Sequence, residues 1–300
     1  MSYPSWHPWP SGALVPSYAI LAAEPDGTIG IAAQSRLLAM GASAIWVWPD
    51  VGAAFAQAPV DPGLARELLH HIAAGTAPEL ALATRMSATP DADLLHVAII
   101  DRMGRTAVHG APTTPLWSGA VVGPGFVCQG VALGGAAALN AMAAAFVGAK
   151  GDLAERITQA LEAGQCVEGG RRWARSAALR VVSSGVDGAT ARLEIDLRVD
   201  DHPDPTGEIR RLLDLHRLYA TATAPGDLLP IDPALTYELQ TILHALGYLR
   251  TPISAVYDEL TRNSLARFLA DEQLHRRLQS GPWIDRKVLD LLRAWRARLR

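Results

Sequence analysis

At 300 residues, with 49% hydrophobic and 19% charged side chains, the chain is built to fold and is long enough for one large domain and a small one. A net charge of −3 leaves no electrostatic case for nucleic acid or an anionic membrane surface as a partner. Two cysteines, Cys128 and Cys166, make neither a disulfide framework nor a zinc-binding pair, so a reducing, cytoplasmic setting without a metal or other cofactor is expected. The first residues have no basic stretch followed by an apolar one, so no signal peptide is read there. No unbroken apolar run approaches the roughly 20 residues of a membrane span.

Four prolines within residues 1–16 predict an irregular extension. From Ser17 the pattern changes. Residues 17–23 read as a buried strand, Asp26-Gly27 as a turn, and 28–33 as the returning strand of a hairpin. Short apolar strands are expected at 44–48 and 51–56. These runs are apolar on both faces, which predicts a sheet covered on both sides. Helices follow at 62–74, stopped by Gly75, and at 78–86. Strands return at 94–100, 106–109 and 126–131. Alanine-rich helices are expected at 135–147 and 152–163, strands at 177–182 and 191–199, and a helix at 209–219.

This order predicts a layered α+β architecture, two antiparallel sheets face to face with helix pairs outside. A small-residue linker, 221–226, places a boundary near 222–230. No strand signal follows it. Asp232 with Pro233 starts a helix that Gly247 ends, and two more helices near 253–270 and 284–299 complete a three-helix unit.

The opening from Ser17 to Ala42 resembles that of the domain-of-unknown-function 1028 family. The likeness continues through 52–58, 125–130 and 161–165. It is most specific at Leu197-Arg-Val-Asp-Asp-His-Pro-Asp-Pro and at Arg210-Arg-Leu-Leu-Asp-Leu-His-Arg-Leu-Tyr. The tail, through Leu235–Tyr248, Leu265–Phe268 and Glu272–Leu278, resembles a peptidoglycan-binding-like domain. The resemblance implies an Ntn-hydrolase-like αββα sandwich over 17–222, then an all-α three-helix domain over 230–300.

Ntn hydrolases attack amides with the side chain of an N-terminal Thr, Ser or Cys, and the free α-amine of that residue, with a pKa of about 7.7–8.0, is the base. By resemblance, Ser17 holds the nucleophile position, with Gln34 and Arg36 as further catalytic candidates. Gln129, Arg175 and Ser176 stand as substrate-binding candidates. Ser17 would need cleavage after Pro16. Val131 stands where many members have Asn, and Gly170 precedes Arg171 without the usual Asp.

Two functions follow. One is an amidohydrolase acting on a small amide or cyclic amide. The other is a non-catalytic binding or scaffold protein whose helical tail engages a glycan, a peptide or a second copy. The small-residue helices 135–147 and 152–163 also predict a homo-oligomer. The Asp200-Asp201-His202-Pro203-Asp204 run is read as a helix-capping turn before a metal site. His96 and His109 are read as packing residues, adjacent His70 and His71 cannot share a helix face, and Trp46, Trp48, Trp117 and Trp173 are read as packing rather than cleft-lining.

Overall fold

The computed structural model describes residues 15–57, 62–90, 92–110, 116–167, 174–185 and 191–299. By its internal contacts the chain forms two compact units, Met1–Leu212 and Leu213–Arg300. The extension expected at 1–16 lies outside the described residues except for Val15 and Pro16.

In the first unit, β1 (Ser17–Ala23) and β2 (Ile29–Ser35) form the expected hairpin. The turn is local chemistry. Asp26 Oδ1 accepts the Thr28 N–H at 2.8 Å, and Gly27 takes φ +86°, which its missing Cβ allows. Next come β3 (Ile45–Trp48), β4 (Gly52–Gln57), α1 (Pro62–Ala73), α2 (Pro78–Ser87), β5 (His96–Asp101) and β6 (Thr106–His109). After them come β7 (Trp117–Gly123), β8 (Phe126–Leu133), α3 (Ala137–Gly148), α4 (Leu153–Val167), β9 (Ser176–Ser183), β10 (Arg192–Val199) and α5 (Pro205–Ala220). Helix α5 begins before the expected 209 because Asp204 Oδ1 accepts the Gly207 N–H at 3.2 Å and Pro205 is pre-set for a first turn. Strand β7 escaped the sequence reading. Its register shifts between Trp117 and Gly119 and its residues are mostly half-buried, so neither alternation nor a continuous apolar run marks it.

The strands make two antiparallel sheets, ordered β10-β9-β2-β1-β8-β7 and β3-β4-β5-β6. Their facing sides hold one core, including Leu21, Ile29, Ile31, Ile45, Phe55, Ile100, Val127 and Val182. Each such side chain, fully buried, contributes roughly 1.5–3 kcal/mol. The alternation along β4 sorts the two sides: Ala53 and Phe55 face this core, while Ala54 and Ala56 face α1 and α2 with Leu64, Leu68 and Leu69. On the far side of the larger sheet, α4 sits so close to β2 that a Cβ on Gly30 would lie 2.9 Å from Ile157. The result is four layers, helix pair, sheet, sheet, helix pair.

The second unit takes in the end of α5, whose Leu218 belongs to a separate core with Leu239, Leu243, Phe268, Leu269 and Leu292. The division by contacts therefore falls within α5, whereas the sequence placed the boundary near 222–230. Helix α6 (Pro233–Ala245) has Asp232 as its cap, accepting from Leu235 N–H, and Gly247 follows at φ +82°. Helices α7 (Glu259–Asp271) and α8 (Arg286–Ala297) complete the expected three. Helix α7 starts later than expected because Asp258 caps it, while Gln240 Oε1 holds the preceding turn by accepting from Ser254 and Ala255 N–H, both at 2.9 Å. The unit is not all-α: β11 (Leu228–Pro230) pairs with β12 (Trp283–Asp285), strands too short to leave a sequence signal. Among the described residues, no helix is long and apolar enough to cross a membrane.

Candidate functional site

The antiparallel register puts Val131, Ser17, Ser35 and Ser176 in one row across β8, β1, β2 and β9. All four are buried on the side that faces the second sheet. Ser17 Oγ donates to the Val15 carbonyl at 3.0 Å, lies 2.6 Å from Ser35 Oγ, and accepts from Gln57 Nε2. Gln57, the last residue of β4, also donates to Val15 O at 3.2 Å, so it ties the second sheet to the segment ahead of β1. Ser35 Oγ in turn accepts the Leu37 N–H at 2.9 Å.

Ser17 thus heads the first strand. Its hydrogen-bond partners are a carbonyl, a hydroxyl and an amide, none of which is a base near neutral pH. Its nitrogen is held in the peptide bond to Pro16, whose carbonyl accepts the Arg36 N–H at 3.1 Å.

The other predicted residues scatter. Gln34 lies on the opposite face of β2 from Ser35 and accepts the Thr206 hydroxyl at the start of α5. Arg36 is exposed and continues the ladder through its backbone. Gln129 faces inward and donates from Nε2 to Val97 O at 3.1 Å and His109 O at 3.0 Å, clamping β8 to β5 and β6. Arg175 is exposed and pairs with Asp201 at 2.7 Å, which raises its pKa through that hydrogen bond. Ser176 donates to Leu37 O at 2.6 Å and accepts from Met40 N–H, fixing the segment after β2. Of the six candidates, only Ser17 and Ser176 share the serine row, and Gln129 shares their inward face.

Ser35 and Gln57 are residues that reasoning from sequence missed here, and His96, read there as a packing residue, is buried with both ring nitrogens unpartnered. Hairpin symmetry about Asp26 gives Ser35 as the partner of Ser17. Gln57 comes from the other sheet, and nothing local announces it. His96 stands directly opposite Gln57, fully buried, its pKa lowered to about 4 by burial and then by His109.

The acidic turn is occupied with capping and pairing: Asp200 with Arg198 at 2.7 Å, Asp201 with Arg175, and Asp204 with the first turn of α5 and with Gln165 at 3.0 Å. Among the described residues, no group of three His, Cys, Asp or Glu side chains is placed to hold a metal. Trp48 packs edge-on against His70 at 4.7 Å, Trp46 donates to Ser43 O, and His109 Nε2 lies 2.9 Å from Ala92 O. Gly169–Arg172 and Trp173 lie outside the described residues. Both cysteines are unpaired, and burial holds the Cys128 thiol protonated, its pKa pushed up to about 12.

Fold and site together define a four-layer sandwich with a serine hydroxyl buried at the head of its first strand. The model of the Family of unknown function (DUF1028) matches residues 17–209, and the chain belongs to that family. It is similar to the crystal structure of protein SPO2555 from Silicibacter pomeroyi, assigned to DUF1028, with 26% identity and a TM-score of 0.61 over 67% of this chain and 89% of that one. Its likeness to HslV from Trypanosoma brucei is slight: 14% identity and a TM-score of 0.34, over 55% of this chain and 99% of that one. No curated protein matches it.

Proposed function

We propose that the first unit is an Ntn-hydrolase-like sandwich that, in the intact chain, binds a small polar ligand at its Ser17 end without hydrolysing it. The observation that carries this reading is the set of partners of Ser17. A buried hydroxyl hydrogen-bonded to Val15 O, Ser35 and Gln57 has no group to take its proton. Val131 strengthens the reading, since an apolar side chain flanks Ser17 where the family resemblance expects the donor Asn. The helical residues 230–300 then serve recognition of a glycan, a peptide or a second copy.

A second reading has an observation of its own. Cleavage between Pro16 and Ser17 would release an amine at the residue whose hydroxyl Gln57 and Ser35 already hold, and would remove Val15 from it. That product has the nucleophile and base of an amidohydrolase acting on small amides. The mass of the purified protein separates the two. The intact mass is expected, with no amide hydrolysis by the protein or by its Ser17→Ala variant. A species beginning at Ser17, whose amidase activity Ser17→Ala abolishes, would establish the second reading instead.

Self-association is also proposed, through exposed parts of α3 and α4. Part of the small-residue surface is used within the chain, since a Cβ on Gly164 of α4 would lie 2.9 Å from Met142 of α3. A dimer by light scattering is the expected result, and a 31.9 kDa particle at all concentrations would contradict it.

A further inference from the structure

Three buried side chains at the Ser17 end keep polar atoms that no hydrogen bond uses. Gln57 Nε2 is identified as the nitrogen because it serves the Val15 carbonyl, which only a donor can do. Gln129 Nε2 is identified in the same way by the carbonyls of Val97 and His109. The amide orientations are therefore set, and Gln57 Oε1 and Gln129 Oε1 are left as acceptors without partners. Both ring nitrogens of His96 are likewise unpartnered. Burial keeps this ring neutral at physiological pH, so it offers one N–H donor and one acceptor.

Register and facing bring the three side chains to one end of the layer between the sheets. Gln57 and His96 oppose each other on β4 and β5. Cβ atoms of such a pair stand about 4.5–5.5 Å apart. Alternation turns both toward the facing sheet, as it does Phe55 and Ala98 two residues along each strand. Gln129 crosses from that facing sheet to the carbonyl of Val97, the residue after His96. Yet none of the three bonds to another through these leftover atoms. Buried polar atoms in this state are met by ordered water or by a bound molecule.

We propose that Gln57, His96 and Gln129 form a binding site, beside Ser17, for a small molecule bearing a primary carboxamide or urea group. Its N–H donors face the two glutamine oxygens, and its carbonyl oxygen faces the imidazole N–H. Among organic groups the inventory favours this class. The leftover atoms are three acceptors, namely two amide oxygens and one ring nitrogen, and one donor, the ring N–H. A carboxylate or a ketone brings only acceptors, an ammonium brings only donors, and a hydroxyl brings one donor to two amide oxygens, whereas a carboxamide or urea brings at least two donors and a carbonyl. The proposal rests on the reading of the Ser17 end as the ligand-binding end.

Acetamide is the probe, titrated into tens of millimolar because a ligand of its size binds weakly. In full-length 15N-labelled protein it should shift the His96 ring nitrogens saturably, the signals being assigned by their absence in His96→Phe. Acetone and acetate at the same concentrations should not shift them. Ligand-observed NMR should show affinity for acetamide lowered tenfold or more in Gln57→Leu and in His96→Phe. If Gln57→Leu fails to fold, His96→Phe decides alone, since the His96 ring makes no hydrogen bond in the structure. Absence of a saturable shift, an equal response to acetone, or undiminished binding by His96→Phe would overturn the site. Formation of acetate in the same tube would instead overturn the non-catalytic reading and leave the site standing.

Discussion

Asp285→Ala is expected to cost the second unit about 3–5 kcal/mol, read as a large fall in the urea midpoint. Asp285 is fully buried and does three things at once. Its Oδ1 accepts the Lys287 N–H at 2.8 Å as the cap of α8. Its Oδ2 pairs with Arg277 and accepts the Thr223 hydroxyl at 2.8 Å. The Arg277 guanidinium, also buried, donates to Leu218 O at 2.7 Å, Thr221 O at 2.9 Å and Arg217 O at 3.1 Å, the carbonyls that end α5. A cation there complements the negative end of the helix, but it needs its counter-ion. Alanine would strand the guanidinium in the core, and stranding costs more than the pair itself is worth. Arg293–Glu238, closed at 2.8 Å but with half of the arginine side chain in solvent, sets the contrast: Glu238→Ala should cost under about 1 kcal/mol. Equal losses for the two variants would refute the account.

The second large effect depends on pH. His96 has a folded pKa of about 4 against an ordinary value of 6.5. Between those values the unfolded chain binds the proton and the folded chain does not, so stability rises with pH through this window. Acidifying from 6.5 to 4 is therefore expected to remove about 3 kcal/mol, and little more of this contribution should be lost below 4. His96→Phe cannot take up the proton and should flatten that slope, becoming more stable than the parent protein near pH 5. Parallel pH profiles for the two proteins would show that His96 is not the group responsible.

Much of this molecule was legible without coordinates because it is governed by neighbours in sequence. The hairpin from Ser17 to Ser35 follows from Asp26 and Gly27, the start of α6 from Asp232 and Pro233, and its end from Gly247. The apolar runs gave the strands and the face-to-face sheets, since a strand apolar on both sides must be covered on both sides. Strands that depend on a partner did not show: β7 is half-exposed with an irregular register, and β11 and β12 are three residues each.

The site divides along the same line. Sequence placed Ser17 at the head of the first strand. It also grouped Gln34, Arg36 and Arg175 around that serine, because proximity along the chain and family resemblance carry no information about faces. Pleating sends Gln34 to the opposite side from Ser35, and solvent takes Arg36 and Arg175. Only the stacking of the two sheets brings Gln57 onto Ser17 from 40 residues away, sets Gln129 across from His96, and leaves Gln57, Gln129 and His96 with atoms unpaired. The chain's local physics determined where a hydroxyl would begin the fold. The packing of one sheet on the other decided what that hydroxyl meets, because hydrogen bonds between distant strands are set by register and layer spacing, which no short stretch of residues encodes.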